Sequence, residues 1–132
     1  MFTLIHHTAD VRARVTAPSL ESLFTDAVHA LYAVMHGEAH GEPVTRTIAV
    51  DDSADTTALL VDFLNEVLGR AQIGRELFDR VAFTRFDETS LTAELHGRAP
   101  AEFEEDVKAV TYHEAEVVRD GEAWTTMLVF DL

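Results

Sequence analysis

Two segments of the chain carry apolar residues at helical spacing, and this pattern limits the folds that the sequence can adopt. Residues 19–36 and 56–68 each place leucine, phenylalanine, valine or methionine side chains along one face of a helix. The second segment shows the clearest apolar stripe: Leu59, Leu60, Phe63, Leu64, Val67 and Leu68. We predict two amphipathic helices, each of which must bury its apolar face against another layer.

Both predicted helices have residues at their ends that favour starting and stopping a helix. Ser19 suits the start of the first helix, and Gly37 suits its end. Asp55 can accept hydrogen bonds from the free N–H groups that begin the second helix, and Gly69 can end it.

The residue pattern in the rest of the chain predicts mainly strands. Apolar and polar residues alternate from Val11 to Val15, which is typical of a strand with one buried face. Further strands are predicted at residues 44–50, 81–86, 91–96, 107–118 and 124–130, with turns at 87–90 and 120–121. The acidic stretch at residues 97–106 is predicted to be a solvated loop.

This order of elements predicts an α+β fold with mixed or antiparallel sheets and two main helices. Each helix follows a strand, which is compatible with a duplicated strand–helix–strand unit. The 132 residues fit a single domain, residues 1–132.

The charge balance restricts the partners that the chain can bind. There are 24 acidic and 10 basic residues, a formal net charge of -14, so direct, tight nucleic-acid binding is not expected. A basic protein or a divalent cation suits this charge better. The sequence has no cysteine, no recognisable signal peptide and no membrane-spanning segment, and we expect a cytoplasmic protein without a membrane partner.

Carboxylates near the two ends of the chain are the first candidate site. Asp10 follows His7-Thr8-Ala9 in a predicted turn, while Asp131 and the main-chain carboxylate of Leu132 follow the last strand. Such hard oxygen ligands suit Ca²⁺, Mg²⁺ or Mn²⁺. An ordinary turn that bonds its own backbone and a frayed terminus are the alternatives.

A second candidate lies in the polar segment from Lys108 to Val117. In a regular strand Lys108, Tyr112, Glu114 and Glu116 would share one face. The lysine could neutralise carboxylates or hold a phosphate group, and the alternative is an exposed face with weak cross-strand ion pairs. Phosphate-binding loops, dinucleotide-binding turns and nucleophile elbows are missing from the sequence, and no complete catalytic set is visible.

Several segments, in order along the chain, resemble the archease family. They are His7-Thr8-Ala9-Asp10-Val11, Leu60-Val61-Asp62-Phe63-Leu64-Asn65-Glu66, the segment from Val107 to Val117, and Val129-Phe130-Asp131-Leu132. Archeases are small acidic proteins that assist RtcB-type RNA ligases in tRNA splicing and RNA repair. They promote guanylylation of the ligase and support its multiple turnover.

The resemblance implies specific roles for residues of this chain. Asp10, Asp131 and the Leu132 carboxylate match the family's metal-binding positions, Lys108 matches a functional lysine, and Glu116 is preferred to Glu114 as the acidic partner. It implies a divalent metal ion as cofactor, an RtcB-type RNA ligase as partner, and an activator rather than a self-sufficient enzyme.

Two other classes of function fit the same residues. The carboxylates could serve a stand-alone metal-dependent phosphoester hydrolase, or the acidic surface could belong to a protein-interaction module that needs no metal. Turnover by the chain alone would favour the hydrolase, and metal-independent binding would favour the module.

Overall fold

Both helices lie in the first 74 residues, and strands follow them, in the computed structural model, which describes residues 1–6, 9–112 and 114–132. Their order and bounds are β1 (Phe2–His6), β2 (Asp10–Ala17), α1 (Leu20–Val34), β3 (Gly37–Glu38), β4 (Glu42–Val50), α2 (Thr56–Gly74), β5 (Leu77–Phe86), β6 (Leu91–Ala99), β7 (Glu102–Phe103), β8 (Ala109–Thr111), β9 (Val118–Asp120) and β10 (Ala123–Asp131).

The two helices lie between two larger antiparallel sheets. One sheet, the β2–β10 sheet, has the order β1-β2-β10-β8, with β9 also paired to β10, and the other has the order β4-β6-β5. Helix α1 contacts β1, β2 and β10 of the first sheet and β5 of the second, while α2 contacts β8 and β4. The α+β prediction is therefore confirmed.

The predicted duplication is not decided by this topology and stays a prediction. Strands β4 and β5, which flank α2, belong to one sheet. The unit around α1 differs, because α1 leads into the two-residue β3, which pairs with β7 in a separate small sheet.

Aromatic side chains join the helix layer to the β4-β6-β5 sheet. Phe24 of α1 packs against Phe63 of α2, with ring centroids 6.2 Å apart, and edge-on against Phe86 of β5 at 5.0 Å. Phe24 and Phe63 are fully buried. Edge-to-face rings of this kind contribute more stabilisation than the burial of their surface area alone.

No helix in the described ranges combines the length and apolar character needed to cross a bilayer.

The starts of both helices agree with the sequence prediction, but the end of α2 does not. Ser19 caps α1, and the Asp55 side chain accepts the Ala58 N–H at 2.8 Å. Helix α2 passes through Gly69 and stops only at Gly74. A glycine inside a helix costs about 1 kcal/mol. Ala71, about one turn beyond the apolar stripe that ends at Leu68, is buried, and its burial favours continuing the helix.

The prediction of one long strand at residues 107–118 is wrong. Only Ala109–Thr111 and Val118–Asp120 are strands, and Glu114 has a positive φ of 60°. Side chains of α2 bind the backbone here: Asn65 bonds Val110, and Thr57 accepts the Val117 N–H at 2.9 Å. These contacts replace the ladder of hydrogen bonds that a continuous strand would form with a neighbour.

The solvated loop predicted at residues 97–106 is also wrong in part. Strand β6 continues to Ala99, Glu102–Phe103 forms β7, and Ala101 is fully buried between them. The acidic side chains that follow are exposed, as expected.

We expect Asp55→Ala to lower the free energy of unfolding by about 1 kcal/mol, because it leaves the first N–H groups of α2 without their side-chain acceptor. Urea unfolding followed by circular dichroism measures the change. Glu66→Ala, on an exposed face of the same helix, is the matched control. Equal stability of Asp55→Ala and the unsubstituted protein would contradict the capping role.

Candidate functional site

Asp10 and Asp131 lie directly opposite each other where β2 begins and β10 ends. The next pair, Val11 and Phe130, is buried against the helices, so the two aspartates lie on the outer face of the sheet. Side chains opposite each other on neighbouring strands have Cβ atoms about 5 Å apart. His7 and Thr8, the first half of the predicted motif, lie outside the described residues.

Arg12 lies on the same outer face, two residues along β2 from Asp10. Its Nε is 3.7 Å from Asp10 Oδ1, and its guanidinium also pairs with Glu114. Asp10 Oδ1 and Arg12 Nε are both buried without a hydrogen-bond partner in the described structure. Asp10 therefore presents a carboxylate oxygen that is not satisfied by hydrogen bonding, which fits the predicted cation site.

Main-chain hydrogen bonds hold Lys108 and Leu132 beside the aspartates. The Lys108 N–H donates to the Asp131 carbonyl at 2.8 Å, and the Leu132 N–H donates to the Ala9 carbonyl at 3.4 Å. The Lys108 side chain is exposed. The fold thus brings together Asp10, Asp131, Lys108 and Leu132 at one end of the β2–β10 sheet.

The acidic residue linked to this group in the structure is Glu114, through its pairing with Arg12. Glu116 is exposed, in the segment between β8 and β9, and its role stays a prediction. The expectation that Lys108, Tyr112, Glu114 and Glu116 share one strand face is wrong, because the chain leaves the strand after Thr111. His113 lies outside the described residues.

Helix α2 fixes the position of β8 beside this group. The Asn65 amide donates to the Val110 carbonyl at 2.9 Å and accepts the Val110 N–H at 3.0 Å. About two turns further along α2, Gln72 donates to the Val107 carbonyl at 2.9 Å. These bonds hold the backbone on both sides of Lys108 against the helix.

Tyr112 ties the segment after β8 to the start of the same helix. Its hydroxyl donates to Asp62, which also accepts a hydrogen bond from Ser53 at 2.9 Å. The hydrogen bond to the Asp62 carboxylate raises the pKa of Tyr112 to about 12, since ionisation would place two negative charges together.

Sequence reasoning missed three residues that organise this region. Arg12 could have been found from its spacing of two from Asp10, which puts both side chains on one strand face. Asp62 and Asn65 lie in the helix segment that carries the family resemblance, but their partners are 50 and 45 residues away. Nothing local in the sequence indicates those partners.

A second group of possible metal ligands was also missed. Glu38 and Glu102 are opposite each other on β3 and β7, and His40 Nε2 lies 3.4 Å and 3.9 Å from their carboxylates. All three residues are exposed. Exposed acidic groups commonly lie together without holding an ion, so we assign this group no metal.

Comparison with known proteins identifies the family to which this chain belongs. The sequence profile of the Archease protein family (MTH1598/TM1083) matches residues 2–132. The chain therefore belongs to the archease family.

Curated relatives and solved structures agree with this family. Protein archease of Methanopyrus kandleri is 32% identical over 97% of this chain and 96% of its own length. Protein archease of Thermococcus kodakarensis is 31% identical over 96% and 94% of the two lengths. An archease from Thermotoga maritima, described as a possible chaperone, superposes with a TM-score of 0.71 at 23% identity, covering 100% of this chain and 98% of its own.

We expect Asn65→Ala to lower the free energy of unfolding by roughly 2 kcal/mol, because it removes both partners of the Val110 backbone. It should also speed hydrogen exchange of the Val110 amide, measured by NMR. Gln72→Ala, which removes a single bond to the neighbouring Val107, should have a smaller effect. Unchanged exchange at Val110 in Asn65→Ala would show that Asn65 does not hold β8.

We expect the Tyr112 hydroxyl to titrate near pH 12 rather than at its ordinary 10.0. Asp62→Asn should move the midpoint back towards 10, followed by the ¹³C NMR signal of the ring. Asp55→Asn keeps a helix cap and should change the midpoint less. The raised pKa means that this hydrogen bond stabilises the fold below pH 10 and is lost as pH rises through 12. A wild-type midpoint near 10 would refute the bond.

Proposed function

We propose that this chain is a protein cofactor that activates an RtcB-type RNA ligase in tRNA splicing and RNA repair. It promotes guanylylation of the ligase and multiple turnover, and it is not a self-sufficient enzyme. Membership of the archease family over residues 2–132 supports the role of a protein cofactor.

The observation that carries the proposed site is the alignment of Asp10 with Asp131 on neighbouring strands. Two carboxylates placed opposite each other repel and destabilise the sheet unless a cation lies between them. Asp10, Asp131 and the Leu132 carboxylate would hold a divalent ion, namely Ca²⁺, Mg²⁺ or Mn²⁺. Asp10 Oδ1 is buried and accepts no hydrogen bond, which supports this assignment.

Lys108 is the proposed cationic group of the site. Its main chain is bonded to Asp131, so its exposed side chain starts beside the carboxylates and can reach a phosphate group or a carboxylate of the ligase. Glu116 is retained as the acidic partner, and Glu114 is the competing candidate because it pairs with Arg12.

The charge of the chain provides the docking force in this proposal. A formal net charge of -14 would steer the protein towards a basic RNA-binding cleft on the ligase. Salt should weaken this attraction. To activate the ligase, the chain must bind the guanylylation-competent state more tightly than the other states of the ligase.

We expect Asp10→Ala and Asp131→Ala each to reduce stimulation of ligase guanylylation by about tenfold or more, since each removes a proposed metal ligand. The assay follows transfer of labelled guanylate from GTP to the ligase, with and without this protein. Glu122→Ala removes an exposed carboxylate at the opposite end of β10 and is the matched control. Full stimulation by both folded aspartate variants would rule out the proposed site.

A further inference from the structure

A polar cavity lies on the outer face of the β4-β6-β5 sheet, on the side away from the helices. Its volume is about 590 Å³, and its lining includes Thr45, Asp79, Arg80, His96 and Arg98. The inner face of these strands is apolar, with buried residues such as Leu95. None of the lining residues belongs to the group around Asp10 and Asp131, so the cavity is a separate site.

The backbone brings the polar side chains of this cavity into one row. Thr45, His96 and Arg80 are cross-strand partners on β4, β6 and β5, and Thr45 Oγ1 is 3.2 Å from His96 Nδ1. Arg98 follows His96 by two residues and therefore lies on the same face.

An irregularity in the pairing lies directly beside this row. The β5–β6 register shifts between Phe78 and Arg80, so Asp79 is the extra residue of a bulge. At Gly97 a Cβ would lie 1.8 Å from the Leu77 carbonyl oxygen, which leaves room only for glycine. Bulges redirect side chains and are common beside functional sites.

Two arginines line this cavity, although the chain as a whole is acidic. Among the described residues, neither Arg80 nor Arg98 forms an ion pair with a carboxylate, although the chain has 24 acidic residues. Arg98 donates to the Gly41 carbonyl at 2.9 Å, and this neutral acceptor leaves its charge uncompensated. His96 Nε2 is 2.7 Å from Glu94, which offsets any charge on the imidazole, and Asp79 contributes a carboxylate at the rim.

We propose that this cavity binds the phosphate groups of a nucleotide or another small polyphosphate, held by Arg80 and Arg98. Guanidinium groups form paired hydrogen bonds with phosphate oxygens. A long RNA is disfavoured, because the net charge of -14 repels an extended polyanion more than a compact one. Binding here does not depend on the metal site.

Calorimetric titration with tripolyphosphate and with ATP tests this proposal. The buffer contains EDTA and little salt, so that no divalent ion links phosphate to Asp10 and Asp131. The double variant Arg80→Gln/Arg98→Gln should bind both ligands about tenfold or more weakly. The matched control Arg14→Gln/Arg70→Gln removes the same charge elsewhere and should change affinity by less than about twofold.

Three results would overturn the assignment. The first is no binding of either ligand to the wild-type protein, and the second is an equal loss in the two double variants, which would indicate general electrostatic attraction. The third is binding of a ten-nucleotide RNA at these arginines without binding of ATP. If circular dichroism shows that the double variant is unfolded, the NMR signals of the Arg80 and Arg98 side chains in the wild-type protein test the proposal instead. Movement of those signals with tripolyphosphate supports the site, and movement confined to other residues refutes it.

Discussion

The pairing of β2 with β10 is the interaction on which the rest of the structure depends. It joins residues near the two ends of the chain along an unbroken register from Trp124–Ala17 to Asp131–Asp10. Its inner face supplies buried side chains, including Val15 and Leu128, to the core against α1. Its last pair places two carboxylates together. The inner face of this strand pair therefore packs the core, and its outer face carries the candidate site. A shift of one residue in the register of the two strands would destroy both.

Helix α2 has a comparable double role. Its apolar face fills the core, while Asn65, Asp62 and Thr57 bind the backbone or side chains of the segment that carries Lys108 and Tyr112. This segment has only three residues of paired strand before it leaves the sheet. Its position is set by the helix more than by strand pairing, which explains why residues with good strand propensity form a bound loop.

Arginine side chains change the local charge of this acidic chain at two places in the fold. Arg12 lies between Asp10 and Glu114 at the proposed metal site, where it limits the repulsion of neighbouring carboxylates. Arg80 and Arg98 lie on the outer face of the other sheet and face a polar cavity. The net charge predicts long-range attraction to basic partners, but the placement of a few arginines makes the local charge differ from that of the whole chain.

The sequence by itself determined the features that depend on local periodicity and local capping. These include both amphipathic helices with the caps Ser19 and Asp55, the alternation in β2, and the hairpin around residues 87–90. Only the tertiary structure decided the end of α2, the interruption after Thr111, the pairing of Arg12 with Glu114 and the hydrogen bonds from Asn65 to β8. These features depend on groups far apart in the chain, which compete for burial and hydrogen bonds only once the sheets and helices have packed.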